Sequence, residues 1–447
     1  VAQRAQYIMD NWQVTPNLLL NLGIRNDQFT NYDASGTPYI RLTKPQWAPR
    51  IGFSWDVHGD STLKVFGNAG RYYLALPEQV AAVNALGEIG IEFPREKERL
   101  YPQRTLAAHV LGFAPTPEGV GGMGVQAAFN ARLIDPALRG QPFAISIDSR
   151  VQGALESELY AQMIAQSAKG AGGVILDANT GEVIAMASIP VFDPNKLANY
   201  AGKTCSQSPL CNQMVQARYE LGSTFKPLSI GKAMDQGVVT SMSKRYDATA
   251  PIEVGGFRIK DDHPLKRWLN VPETLVHSSN IVTARIADEM GPQPLQQLFR
   301  SLGFDQRAPI ELNERAAGIW PSSWGRATTM TVAYGHGIAV TPLHLASAYA
   351  ALVNGGIWRP ATLRKIKPGE VAPGHRVFSA ATSARMRQLL RMIVAAGTGR
   401  SADAKGYRVG GKTGSAEKPS EGGYNKSSLV TTFASAFPMD NPRYVVL

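Results

Sequence analysis

The chain has 447 residues, 44% of them hydrophobic and 18% charged, which excludes bulk disorder and leaves room for more than one domain and a well-buried catalytic core. A net charge of +11 favours acidic partners such as nucleic acid, anionic lipid or an anionic wall polymer. The Lys and Arg are scattered, with no basic block and no aromatic-basic interleave, so the charge reads as a solvated basic surface and no nucleic-acid module is expected.

The chain opens at Val1 rather than Met, with no signal peptide, and no apolar run approaches the roughly 20 residues of a membrane-spanning helix. Residues 1 to 76 carry period-two patterns. "LLLNLGIR" alternates Leu18, Leu20, Leu22 and Ile24 against Leu19, Asn21, Gly23 and Arg25. "RIGFSWDV" alternates Ile51, Phe53, Trp55 and Val57 against Arg50, Gly52, Ser54 and Asp56. "HGDS" supplies a turn and "TLKVFGNAG" a further strand, so antiparallel hairpins are expected. The pattern alone suits a transmembrane β-barrel and a small soluble meander equally. The wording "DNWQVTPNLLLNLGIRND" and "WAPRIGFSWDVHGDSTLKVFGNAGRYY" resembles the barrel strands of TonB-dependent outer-membrane receptors. A fragment of this length cannot close a barrel and leaves open edges.

Residues 77 to 142 are rich in charge, Pro and Gly and read as an extended linker or pedestal. Gly119 to Gly124 fits G-x-G-x-x-G but follows "APTPE" rather than a strand, which reads as linker and not as a dinucleotide site. From Phe143 to the end, residues 143 to 447, the pattern is α/β. "AISID" is expected as a strand, Asp148 as a helix N-cap, and "SRVQGALESELYAQMIAQSA" as the helix. "GGVILDANTGEVIAMAS" is expected as a hairpin turning at Asn179, Thr180 and Gly181. Cys205 and Cys211 are too few for a disulfide framework and are expected as a local disulfide in an oxidising compartment or as two free thiols. Helical stretches dominate from Gly222 to Gly355, and strands return at "YRVGGKTGSAEK", "TTFASAF" and "RYVVL". Strands from both ends with helices between them predict an α/β core with a helical lobe. The histidines are scattered without H-E-x-x-H, so no metal or cofactor is expected.

Three short motifs carry chemistry. In "YELGSTFKPL", Gly222 permits a sharp turn and Ser223 lies in the first turn of a helix. Lys226 is three residues on, so both side chains share a face, and Pro227 fits only near the helix start. A partly desolvated lysine beside a serine can lose its proton near neutral pH and act as its general base. Helix capping by the serine is the alternative. In "VHSSNIVTARIADEM", Ser278-Ser279-Asn280 could aim a hydroxyl and an amide into a cleft or merely cap a helix. In "VGGKTGSAEK", Gly414 lets a substrate approach the strand edge, and Lys412, Thr413 and Ser415 could hold a carboxylate. Gly406 to Thr413 also fits the phosphate-binding G-x-x-x-x-G-K-[ST], but its flanks predict neither the strand before nor the helix after that such a loop needs.

In order, Ser-x-x-Lys, Ser-x-Asn and Lys-Thr-Gly form the signature of penicillin-binding proteins and class A β-lactamases. Residues 77 to 447 resemble the class B penicillin-binding proteins of the division-septum transpeptidase type, a likeness that implies the α/β (α+β) serine transpeptidase or β-lactamase-like fold, an antiparallel sheet flanked by helices plus a helical lobe. The resemblance extends to "REKERLYPQRTLAAHVLGF", "GGVILDANTGEVIAMASIPVFDPN", "FRIKDDHP", "YGHGIAVTPLHLASAYAALVNGG" and "GYRVGGKTGSAEK". It implies that Ser223 attacks the carbonyl between two D-alanines of a peptidoglycan stem peptide, with Lys226 as base. Ser278 and Asn280 would relay protons and hold the peptide amide. Lys412, Thr413, Gly414 and Ser415 would bind the terminal carboxylate, and the backbone amides of Ser223 and Ser415 would form the oxyanion hole. β-Lactams would acylate the same serine, division-machinery membrane proteins would be partners, and the location would be the periplasmic side of the inner membrane.

Against the family pattern, the membrane anchor and the start of the pedestal are absent, and the closing helix expected after "RYVVL" is missing. The sequence reads as cut at both ends, which predicts exposed apolar surface and low stability. A β-lactamase, a receptor that senses β-lactams, and a fused product without function are the competing readings.

Overall fold

The structure, a computed structural model, describes residues 2–32, 37–59, 63–71, 100–114, 122–138, 140–197, 208–370, 372–420 and 423–447. Asp60 and Ser61 of the "HGDS" turn, much of the 77 to 142 linker, Gly119 to Gly121 and Cys205 lie outside these residues. The chain divides into two compact units, Val1–Glu98 and Arg99–Leu447. Among the described residues no helix is long and apolar enough to cross a membrane.

The first unit is a four-stranded antiparallel sheet of Ala2–Thr15, Leu18–Tyr32, Pro38–Asp56 and Lys64–Gly70, paired in sequence order. The alternation read from the sequence sets its faces, because residues opposite one another in register point the same way. Trp12, Leu20, Phe53 and Gly67 align across the sheet, as do Leu22, Ile51 and Ala69 with Asp10 at the end of their row, so one face is largely apolar. The Phe53 ring covers Gly67, where an added Cβ would come within 2.9 Å of it. Trp12, Ile51 and Trp55 remain exposed on that face.

The second unit is built on a five-stranded antiparallel sheet. Its order is Gly410–Ser420, Gly423–Phe437, Tyr444–Val446, Ala171–Asp177 and Val183–Ile189, so strands from both ends of the unit share one sheet. The hairpin between Asp177 and Val183 turns where expected, with Asp177 Oδ1 accepting from the amides of Asn179 and Thr180 at 2.9 and 3.0 Å. Asp148 caps the helix Ser149–Ala165 as expected. "AISID" is not a strand. Ile145 makes only an isolated bridge to Arg364, because its neighbour is a loop that presents one residue to pair with.

The helix Pro342–Val353 is buried on every side, which its nearly all-apolar sequence demands, and packs against Ala171–Asp177, Gly423–Phe437 and Tyr444–Val446. Phe225 packs its ring 5.5 Å from that of Phe299 and 5.6 Å from that of Phe304, which anchors the segment after Ser223 in the core. Cys211 is disulfide-bonded, which decides between the two thiol expectations. Gly406 to Thr413 runs into the edge strand Gly410–Ser420 with no helix after it, so it is no phosphate loop.

Candidate active site

Ser223 sits one turn earlier than expected. Gly222–Phe225 forms a 3-10 turn, and the α-helix Lys226–Asp235 begins only at the lysine, with Pro227 in its first turn where no intrahelical amide partner is required. The tighter turn follows from what surrounds Gly222. Its φ is +56°, and a Cβ there would lie 2.6 Å from Ser415 O. Gly222 N also donates to Gly335 O at 3.3 Å, so the Ser223 turn is wedged between the Gly410–Ser420 strand and the Tyr-Gly-His-Gly loop. That loop is tied in again by Glu220, which accepts from Gly337 N at 3.1 Å and pairs with His336 Nδ1 at 3.1 Å.

The turn is held from inside as well. Thr224 Oγ1 donates to Leu221 O at 2.8 Å, and the fully buried Tyr349 hydroxyl donates to Thr224 O at 2.8 Å. Tyr349→Phe is expected to lower unfolding free energy by on the order of 1 kcal/mol, the worth of one buried hydrogen bond, as read by urea denaturation.

Lys226 is 0% exposed, and its Nζ touches the serine the sequence paired with it and Ser278 besides. It lies 2.9 Å from Ser223 Oγ, 2.6 Å from Ser278 O and 3.1 Å from Ser278 Oγ. Burial pushes the amine well below the usual lysine range, the charge of Lys412 pushes the same way, and Asp261 and Asp262 pull against both. In its neutral form the amine has two N–H bonds and one lone pair. Ser278 O can only accept and takes one N–H, Ser278 Oγ takes the other, and the lone pair faces the Ser223 hydroxyl.

Ser278 occupies the turn between the helices Val271–Val276 and Asn280–Met290 with φ +60°, a conformation L-residues rarely adopt. Ser279 is the N-cap, accepting from Val282 N. Asn280 Nδ2 donates to Lys260 O at 2.9 Å, so its Oδ1 is the atom able to accept from a substrate N–H.

Lys412, Thr413, Gly414 and Ser415 lie on the edge strand, paired with Ala434, Phe433, Thr432 and Thr431. Lys412 is 0% exposed, and burial pushes its amine down to about 7. Its Nζ donates to Thr413 O at 2.9 Å, while Thr413 Oγ1 shares a hydrogen bond with Thr398 Oγ1 at 2.7 Å. Gly414 is required by close approach. A Cβ there would fall 2.3 Å from Leu221 O and 2.9 Å from Thr224 Cγ2. Gly414→Ala should push the strand off the Ser223 turn and slow covalent labelling of Ser223 about 100-fold, the scale of a 1 Å misplacement, as measured by stopped-flow kinetics.

The structure therefore brings Ser223, Lys226 and Ser278 into hydrogen-bonding contact and lays the Lys412 to Ser415 strand against the same turn. Asn280 belongs to the adjoining turn. Sequence reasoning passed over Asp261, Thr398 and Tyr349. Asp261 lay within the quoted "FRIKDDHP" and Tyr349 within the quoted "YGHGIAVTPLHLASAYAALVNGG", whereas Thr398 carried no signal of its own.

Residues 171–447 match the family model of the penicillin-binding protein transpeptidase domain, and residues 1–85 match that of the TonB-dependent receptor-like β-barrel. The chain is 40% identical over 399 residues to the probable peptidoglycan D,D-transpeptidase FtsI of Caulobacter vibrioides, covering 86% of this chain and 66% of that protein. It is 29% identical over 414 residues to the peptidoglycan D,D-transpeptidase FtsI of Escherichia coli K12, covering 85% and 67%. The chain thus spans about two thirds of the length of these relatives. Among solved structures, it is similar to the apo transpeptidase domain of Burkholderia pseudomallei penicillin-binding protein 3, with TM-score 0.61 and 30% identity over 69% of this chain and 87% of that one. It is also similar to penicillin-binding protein 3 of Mycobacterium tuberculosis complexed with aztreonam, with TM-score 0.69 and 28% identity over 78% and 83%. With its motifs, its sheet and these matches in agreement, the chain belongs to the penicillin-binding protein transpeptidase family, in its class B branch.

Proposed function

We propose that the chain is a serine D,D-transpeptidase that crosslinks peptidoglycan stem peptides during septal wall synthesis and that β-lactams acylate the same site. The observation that carries this reading is the buried Lys226 amine bridging Ser223 Oγ and Ser278. Lys226 Nζ takes the Ser223 hydroxyl proton as Oγ bonds to the carbonyl carbon of the penultimate D-alanine. The amides of Ser223 and Ser415, on segments in close contact, hold the resulting oxyanion. The C–N bond then breaks, and the proton returns from Lys226 by way of Ser278 to the leaving D-alanine amine. An amine of a neighbouring strand attacks the acyl carbon and gives up its proton to the same base, and the C–Oγ bond breaks as that proton passes to Oγ and restores the serine hydroxyl. Lys412, with the Thr413 and Ser415 hydroxyls, receives the terminal carboxylate, and Asn280 accepts from the peptide N–H.

In this reading residues 143 to 447 form the transpeptidase domain and residues 77 to 142 its pedestal. The location is the periplasmic side of the inner membrane, and the partners are division-machinery membrane proteins.

Intact mass of the chain after incubation with benzylpenicillin tests the reading. The expected result is one persistent adduct, because the β-lactam leaving group stays tethered. Penicillin consumed without an adduct would instead indicate a β-lactamase. With a stem-peptide donor and a D-amino acid acceptor, the expected product is the exchanged peptide. A chain that acylates but makes no such product would be a β-lactam sensor rather than a transpeptidase.

A further inference from the structure

One buried carboxylate beside the site has no part in the chemistry above. Asp261 lies two residues past the strand Phe257–Ile259 and is 7% exposed. Its Oδ1 accepts from Asn280 N at 2.6 Å and from Ile281 N at 2.9 Å, and its Oδ2 accepts from Ser279 Oγ at 2.8 Å. Three consecutive residues therefore spend a donor on one side chain. The preceding residue adds a fourth tie, since Lys260 O accepts from Asn280 Nδ2. Immediately upstream of this clamp stands Ser278, at φ +60°, with both of its oxygens on Lys226 Nζ. A left-handed serine holds such a conformation only where its surroundings over-determine it. The bonds from Asp261 fix the three residues that follow.

We propose that Asp261 is a positioning residue for this reaction, which clamps the 279 to 281 backbone so that Ser278 engages Lys226. It touches no substrate and acts through the turn. The proposal rests on the transpeptidase reading for its consequence, though not for its geometry. A second effect separates positioning from plain structural support. The charged groups that bear on Lys226 are Lys412, Asp261 and Asp262, and the two aspartates favour the ammonium form.

Asp261→Asn is close in shape, and its amide oxygen can still accept from Asn280 and Ile281, but it removes the charge. Its acylation by benzylpenicillin is expected to persist, with the acid limb of the rate profile moved to lower pH, because the ammonium form of Lys226 has lost support. Asp261→Ala removes the clamp. Its acylation step is expected to slow about 100-fold, the scale of a 1 Å misplacement, while non-covalent binding through Lys412 changes little. Hydrogen exchange of the 279 to 281 amides should accelerate in Asp261→Ala without exposing the rest of the helix Asn280–Met290. Asp262→Asn should move the acid limb slightly and leave that exchange alone.

An Asp261→Ala chain that merely melts earlier, with parental acylation rate when folded and parental amide exchange, overturns the proposal. So does an Asp261→Asn chain with an unmoved acid limb. A parent that takes no adduct overturns the transpeptidase reading instead, and the amide exchange then still decides whether Asp261 is the clamp.

Discussion

Ser223→Ala is expected to take no β-lactam adduct under conditions in which the parent is fully labelled. Removing the serine that serves as nucleophile in the proposed mechanism should lower turnover by on the order of a million-fold. Ser278 Oγ is engaged as a hydrogen-bond partner of Lys226, and Ser415 is exposed on the edge strand. The substitution should leave the fold intact. The hydroxyl lost makes one hydrogen bond, to Lys226, so the change in stability should be within about 1 kcal/mol. Intact mass and a thermal melt on the same sample separate the two effects. An adduct on the alanine variant would show that another hydroxyl is the nucleophile.

Lys226→Met is expected to slow acylation by about 100- to 10,000-fold, the usual contribution of a positioned general base. Methionine keeps much of the side-chain volume while removing both the base and the donors to Ser278. The pH dependence should change along with the rate. In the parent, only the neutral amine can take the Ser223 proton. The amine sits well below the usual lysine range, so acylation should rise with pH through a transition well below pH 10.5. The Met variant should lose that acid limb. The alkaline side has a different owner. Lys412 must be charged to hold a carboxylate, and burial brings it down to about 7. Second-order acylation of the free enzyme should therefore decline as pH climbs through about 7, in parent and Met variant alike. A profile flat across that range would remove Lys412 from carboxylate binding.

What could be read without coordinates was local. The alternation of Leu18 to Ile24 and of Ile51 to Val57 announced the hairpins, the Asn179 to Gly181 turn closed a predicted strand pair, and Asp148 announced a helix start. Each rests on side chains a few residues apart, where backbone periodicity alone decides which face they share. Ser223 and Lys226 were legible for the same reason, as were the motifs at 278 to 280 and 412 to 415 when taken together and in order. The failures were also instructive. "AISID" has the period of a strand but meets a loop at Arg364, and the helix expected to hold Ser223 begins at Lys226 instead.

By itself, then, the sequence determined the chemical parts and their order: a serine with a lysine three residues on, a second hydroxyl with an amide, and a lysine-bearing edge strand. Only the tertiary structure decided that these parts form a site. It closed Gly222 against Ser415 and Gly414 against Leu221, buried Lys226 and Lys412 together, and set Asp261 and Thr398 behind the groups they hold. The physical reason is that a lysine becomes a base through desolvation and the charges around it. Both come from residues far away in the chain, and no spacing within a motif can encode them.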